Sequence, residues 1–377
     1  MTNLENVLSS LSEKTRKKLH EAGYQKLTDI QLKVIPLILE GKDVIAQSQT
    51  GTGKTAAFLI PILEKLETIA RPQVLILEQV RELALQVSKE AKKLSPGNDL
   101  KITTIYGGEK KSIHQQLKDF RRGVDIVVGT PGRVIYHLKA KNFPTDKLKF
   151  LVLDEVDEMI NEGFLPAIEQ IIRLIEKNAN HRQNLLFSAT ISPDVKVFAK
   201  RFLKNPQIVI SEREKDQESN IQQYYIETSV RQKLQVLTDF LYSNKQALTL
   251  IFANTKRQVG VIEKTLRQKK LVVDYLHGGL RQNLRARILD KFRNKQINVL
   301  VATDVLGRGI HVENIDYVIN YDFPQNFKSY IHRIGRTGRA EAKGKSITLI
   351  SDREKSRLLT ISRQQGFKVE KFPITSN

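Results

Sequence analysis

Two short stretches carry residue types arranged for phosphate chemistry. The first is "SQTGTGKT", Ser48 to Thr55. Gly51 and Gly53 let backbone N–H groups of Ser48, Gln49, Thr50, Thr52 and their neighbours close around phosphate oxygens. Lys54 brings a positive charge to a β- or γ-phosphate, and the Thr55 hydroxyl suits Mg²⁺. The helical "AAFLIPILEKLE" that follows adds its N-terminal dipole. The second stretch is "FLVLDEVDEMI", Phe150 to Ile160. An apolar run empties into Asp154, Glu155, Asp157 and Glu158. Asp154 can hold Mg²⁺ through its water shell, because that ion prefers hard oxygen ligands and keeps most of its waters. Glu155 can orient and deprotonate an attacking water. Asp157 and Glu158 also fit a solvated acidic helix start, and for Glu158 this is the preferred reading.

Such residues need strands to place them. Continuous apolar runs lie at 43–47, 73–77, 101–107, 125–130, 150–155 and 184–190, with helical stretches between them. Strands buried on both faces of a parallel sheet read this way. The segment 211–220, "SEREKDQESN", is charged and aperiodic, and is expected to be a linker. The pattern then restarts at 248–254, 271–278, 298–304, 317–322 and 346–350. The expectation is two tandem α/β domains, 1–210 and 221–377, each a mostly parallel sheet with helices on both faces. In such sheets ligands gather at the carboxyl ends of the strands, where Asp154 and Glu155 stand.

Bulk properties narrow the partners. The 377 residues carry a formal charge of +21, of which residues 1–220 sum to +6 and 221–377 to +15. A surplus this large favours a polyanionic partner. There is no cysteine, which removes disulfides and thiolate-bound zinc and fits a cytoplasmic protein. No apolar run reaches eighteen residues and no secretory leader is legible, so no membrane association is expected.

With these residues in hand, the sequence resembles the DEAD-box RNA helicases of helicase superfamily 2, from about residue 21 to 350. The motifs stand in the family's order: "GYQKLTDIQ" (23–31), "AQSQTGTGKT" (46–55), "RELALQ" (81–86), "GG" (107–108), "TPGR" (130–133), "DEVD" (154–157), "SAT" (188–190), "IFANT" (251–255), "ATDVLGRGI" (302–310) and "HRIGRTGR" (332–339). The resemblance implies two RecA-like domains and an RNA-stimulated ATPase using Mg²⁺, acting as a monomer. Its activity would clamp, bend and locally unwind RNA or remodel RNA–protein complexes. It places Tyr24 and Gln31 at the adenine, and Gly309 and His311 near the nucleotide. Arg336 and Arg339 would reach the γ-phosphate from the second domain. Arg81, Gly107, Gly108, Thr130, Gly132, Arg133, Arg285 and Thr303 become RNA contacts. Asp157, Ser188, Thr190 and His332 would couple the domains.

Read alone, several of these residues stay ambiguous. Gln31 could be an ordinary surface side chain, although its amide can read an adenine edge bidentately. Arg333, Arg336 and Arg339 recur every three residues, as on a solvated helical face. Four features depart from the family pattern: Val156 replaces an alanine, "QV" (79–80) replaces Pro-Thr, Leu4 stands where an aromatic is usual, and His311 replaces a ribose-holding Asp. An idle, exposed His311 fits as well as a ribose contact. Two other functions compete, an ATP-gated RNA clamp with little unwinding and a DNA-translocating helicase.

Overall fold

The structure is a computed structural model describing residues 3–48, 52–95, 99–107, 110–175, 182–211, 221–280, 282–304, 312, 315–324, 327–338, 344–365 and 367–373. The chain divides into two compact units, Met1–Arg213 and Glu214–Asn377. All but the first residue of the expected linker, 211–220, lies outside the described residues.

The first unit holds β1 (Val44–Gln47), β2 (Val74–Leu77), β3 (Ile102–Ile105), β4 (Ile126–Gly129), β5 (Phe150–Leu153), β6 (Gln183–Ser188) and β7 (Gln207–Ile210). They form one sheet in the order β3-β4-β2-β5-β6-β1-β7. Its described pairings are all parallel. Strand alternation sends Ile76, Val152, Phe187 and Ala46 to one face, where they pack with Phe58 and Leu59 of the helix Lys54–Glu64. It sends Leu77, Leu153, Leu186 and Ile45 to the other face, against Met159, Ile168 and Ile172. Two apolar faces explain why the strands read as unbroken hydrophobic runs rather than alternating ones.

The second unit holds β8 (Ile221–Glu227), β9 (Thr249–Phe252), β10 (Val273–Leu276), β11 (Val299–Ala302), β12 (Tyr317–Asn320), β13 (Gly344–Ile350) and β14 (Glu370–Lys371). Their order is β10-β11-β9-β12-β13-β8-β14, again all parallel among the described pairs. Counted from each unit's own first strand, both orders are 3-4-2-5-6-1-7. Helices again cover both faces, burying Ile251, Val301 and Ile319 on one and Leu250, Leu300 and Val318 on the other.

The eleven strands expected from apolar runs are present, each end within two residues. Three more, β7, β8 and β14, lie outside those runs. β7 exposes three of its four residues, and β8 carries the polar "QQYY".

Candidate functional site

Glycine is required where the phosphate loop enters its helix. Gly53 caps the helix Lys54–Glu64 with φ +90°, a left-handed conformation that costs a side chain about 1 kcal/mol or more. A side chain would also displace Gln31, since a Cβ there would collide with its Nε2 and come within 3.2 Å of Thr28 Oγ1. The buried Lys54 reaches back and donates from Nζ to the Ser48 carbonyl at 2.9 Å. Ser48 and Thr52 join through their hydroxyls. Thr55 stands half-buried in the first helical turn. Gln49, Thr50 and Gly51 lie outside the described residues.

Gln31 is not a surface side chain. It is 2% exposed. Its Oε1 accepts from the Thr28 N–H at 2.9 Å and its Nε2 donates to the Gly53 carbonyl at 3.1 Å. A glutamine amide has two donors and two lone pairs. The two bonds leave one of each, enough for one base edge. Tyr24 donates its hydroxyl to Glu90 at 2.7 Å, and burial together with that carboxylate raises its pKa.

The acidic stretch bends sharply after β5. Glu155 has φ +50° and caps the helix Val156–Asn161. A left-handed glutamate stores on the order of 1–3 kcal/mol of strain, and such strain clusters at functional sites. Its N–H donates to Asp154 Oδ1 at 2.9 Å. Burial pushes Asp154 up to about 6; Lys54 opposes the shift, and the charges of Glu155 and Asp157 add to it. Asp157 is spoken for. Its Oδ2 accepts from the N–H and hydroxyl of Thr190 at 2.9 and 2.8 Å, and its Oδ1 from the Glu158 N–H at 3.1 Å. Ser188 donates its hydroxyl to the Thr190 carbonyl at 2.7 Å, and its own carbonyl accepts from the Ser48 N–H at 3.0 Å. One hydrogen-bonded path thus joins the phosphate loop to the acidic stretch within this unit. Glu158 is corrected: it is buried, not part of a solvated helix start. All of Val156, Asp157, Glu158 and Met159 are buried, so this short helix start is covered on every side.

Sequence reasoning passed over Glu78. It follows β2, its N–H donates to the Gly129 carbonyl at 3.0 Å, and it is 1% exposed. Burial, reinforced by Asp154 and Glu155 and opposed by Lys54, holds its carboxyl well above the usual carboxylate range. An acidic residue closing the apolar run "VLIL" was the available signal.

The same sheet edge carries a basic group further along. Arg81 lays its guanidinium over the Tyr106 ring at 3.9 Å, and Arg133 over Tyr136 at 5.2 Å. A Cβ on Gly107 would lie 3.9 Å from Arg133 Nη2. Thr130 caps the helix Pro131–Lys139, and Gly132 in its first turn has open space beside it. The sheet order therefore grades the edge: β3 and β4 end in Tyr106, Gly107 and Thr130, β2 in Glu78 with Arg81 three residues on, and β5, β6 and β1 in Asp154 and Glu155, "SAT" and the phosphate loop. Behind Arg133 sits the fully buried His137. Its Nδ1 accepts from Asn142 at 2.9 Å, so Nε2 carries the proton donated to Gln116 at 2.8 Å. Burial, then the charge of Arg133, pulls its pKa down to about 4.

In the second unit, Arg285 donates to the carbonyls of Gly278 (2.7 Å) and Leu280 (3.1 Å). Thr303 follows β11, its N–H donating to the Leu276 carbonyl at 3.2 Å. His332 and Arg336 are buried, with Arg336 Nε donating to the His332 carbonyl at 3.1 Å. Arg333 does not lie on a solvated face. It is 1% exposed, with Nη2 donating to Asp304 at 2.8 Å and to Asn254 at 2.8 Å, and Nη1 to the Asp322 carbonyl at 2.7 Å. Gly108, Gly309, His311 and Arg339 lie outside the described residues. Among the described residues no helix is long and apolar enough to cross a membrane.

Comparison with known proteins shows the family. Residues 28–198 match the DEAD/DEAH box helicase model and 232–341 the helicase conserved C-terminal domain. The DEAD-box ATP-dependent RNA helicase CshA of Geobacillus kaustophilus is 40% identical over 96% of this chain and 77% of its own length. CshA of Listeria monocytogenes is 40% identical over 91% of this chain, which spans only 65% of that relative. Among solved structures, S. cerevisiae Dbp5 bound to RNA and ADP BeF3 matches with a TM-score of 0.83 at 30% identity, covering 96% of this chain and 94% of that one.

Proposed function

Because the chain belongs to the DEAD-box ATP-dependent RNA helicases, we propose that it hydrolyses ATP when RNA is bound and uses that cycle to clamp RNA and open short duplexes locally. The observation that carries this reading is the meeting of Lys54 with Asp154 and Glu155 at the strand ends. There the strained Glu155 adjoins Asp154, on which the charge of the buried Lys54 acts.

Gln31 reads the adenine with its remaining donor and acceptor. Lys54 leaves the Ser48 carbonyl for the β- and γ-phosphates, exchanging a bond charged on the donor alone for one charged on both partners. The donor set suits Mg²⁺. Asp154 and Thr55 offer hard oxygens, and among the described residues no three His, Cys, Asp or Glu side chains converge to bind a bare ion. Few protein ligands, with waters and phosphates completing the shell, is how this ion is usually held. Bound there, Mg²⁺ would neutralise charge on the phosphate oxygens. Glu155 orients the attacking water and takes its proton. Arg336 and Arg339 take up charge developing on the γ-phosphoryl group, a role that can be worth about 10³–10⁵ in rate. Arg81, Thr130, Arg133 and the Gly107 backbone hold RNA phosphates, and Arg285 and Thr303 do so in the second unit. Contacts of this kind position the strand without reading bases.

The test is ATP turnover measured without nucleic acid, with single-stranded RNA and with single-stranded DNA, alongside strand release from a short duplex. RNA-specific stimulation with release is expected. Turnover stimulated by DNA would reject the RNA assignment, and stimulation without release would leave a clamp.

A further inference from the structure

Glu78 is a buried acid with no role in the reading above. Its Oε1 has no hydrogen-bond partner among the described residues. An unpaired polar group in that state costs stability, on the order of 1–3 kcal/mol or more for an acid. The fold itself does not need one. At the matching place in the second unit, Ala253 follows β9, donates its N–H to the Ala302 carbonyl at 3.0 Å, and is 0% exposed. A methyl group therefore satisfies the same backbone position.

Register says where the Glu78 carboxyl goes. Leu77 pairs with Leu153 across β2 and β5, and the Asp154 N–H donates to the Leu77 carbonyl at 3.2 Å. Glu78 and Asp154 are thus neighbours on adjacent strands, about 4.8 Å apart in the ladder direction. Leu77 and Leu153 share one face. Alternation sends the next residues to the opposite face, where the helix Lys54–Glu64 packs. Lys54 acts electrostatically on both carboxyls. Two buried carboxyls thus stand side by side at the phosphate loop, one of them unpartnered.

We infer that Glu78 is a positioning residue for the hydrated divalent cation that accompanies the nucleotide, accepting hydrogen bonds from its water shell beside Asp154. This rests on the ATPase reading. An unpaired acceptor aimed at a hydrated dication finds in the metal's waters the donors the protein does not supply. A second outer carboxylate adds charge attraction without demanding the converging ligands of a bare-ion site. Outer partners of this kind are typically worth 10–100-fold in metal affinity.

The experiment titrates Mn²⁺ by electron paramagnetic resonance into the full chain saturated with ADP, for wild type, Glu78→Gln, Glu78→Ala and Asp154→Asn. Nucleotide affinity is measured in parallel with metal chelated. Both Glu78 variants should bind Mn²⁺ about 10-fold or more weakly. Metal-free nucleotide affinity should hold, because Glu78 meets the metal's water shell and not the nucleotide. A merely structural role would move both affinities in the same direction, and that result would overturn the inference. So would unchanged Mn²⁺ affinity in the Glu78 variants while Asp154→Asn weakens it, leaving the ATPase reading intact. If Asp154→Asn is also silent, the metal assignment of the whole crevice falls, and Glu78's role with it.

Discussion

The two sheets share one strand order but treat buried charge in opposite ways. In the first unit, Glu78 and Asp154 stand at the ends of adjacent strands as acids with few partners. At the matching places in the second unit are Ala253 and Tyr321, both packed into the hydrophobic core. The second unit does bury a charge nearby, Arg333, but surrounds it with Asp304, Asn254 and the Asp322 carbonyl. Its guanidinium also lies 5.3 Å from the Phe252 ring centroid. A fully bonded ion has nothing left to offer a ligand, and its work is to hold the fold. A carboxyl left open at a strand end costs stability and keeps its lone pairs for something else. Identical topology therefore leaves open acids at the strand ends of one unit and a fully bonded arginine knot at the corresponding edge of the other.

The largest effect should come from removing the open charges. Lys54→Ala should abolish useful ATP binding. Glu155→Gln should keep ATP binding but cut RNA-stimulated turnover by about 10²–10⁴, the usual worth of a positioned base. Equilibrium nucleotide binding and steady-state hydrolysis, measured on the same preparations, separate the two. Wild-type turnover in Glu155→Gln would remove the water-activating role.

Breaking the arginine knot should instead cost stability. Arg333→Ala takes the buried guanidinium away from the half-buried Asp304 and the exposed Asn254, and losing hydrogen bonds of this kind typically costs about 1–3 kcal/mol. The loss should appear in denaturant unfolding of the second unit. A variant as stable as wild type, but inactive, would make Arg333 part of the reaction and erase the contrast between the edges.

How much of this contrast was legible in the sequence depended on burial. Glycines and a lysine in a phosphate loop, and an apolar run ending in acids, are signals local to a few residues, so both were readable. Glu78 was not, because one Glu after "VLIL" looks the same whether it meets solvent or Asp154. Arg333 misled for the same reason, since three-residue spacing fits a solvated helix face until Asp304 arrives from twenty-nine residues earlier. Gln31 turned inward through contacts with Thr28 and with Gly53, twenty-two residues away. β8 is not legible because polar residues interrupt its apolar positions: Gln222 is exposed, Tyr224 and Tyr225 are half-buried, and the buried Gln223 accepts from the Tyr330 hydroxyl.

A smaller effect tests a third way of burying a basic group, the neutral His137. Its folded pKa of about 4 lies below the unfolded value of about 6.5. Between those values the unfolded chain binds a proton that the folded chain refuses. Stability from this residue is therefore full above pH 6.5 and lost as pH falls toward 4. Between pH 7.5 and 5 the loss should be about 2 kcal/mol. His137→Gln should flatten that part of the unfolding free energy against pH, whatever its stability at pH 7.5. Parallel curves for the two proteins would mean the imidazole is protonated in place.

The smallest effect sharpens the comparison where both units are proposed to touch RNA. Arg133 rests on the Tyr136 ring, whereas Arg285 is bound to the carbonyls of Gly278 and Leu280. RNA affinity should fall with salt at a log–log slope of about −0.7 per phosphate neutralised, with little dependence on sequence. Arg133→Ala should make that slope shallower by about 0.7 and leave the melting temperature within about 1–2 °C, as for substitutions away from buried features. Arg285→Ala should lower the melting temperature as well, because two carbonyls lose a charged donor. Titrations of unrelated single-stranded oligonucleotides at several salt concentrations, paired with thermal unfolding, read both quantities. An unchanged slope in Arg133→Ala would take that arginine off the phosphate backbone. A changed slope in Arg285→Ala without loss of stability would show that its loop bonds are exchanged for RNA at no cost to the fold. The second unit would then also keep an open charge, and the division between a site and a knot would hold only for Arg333.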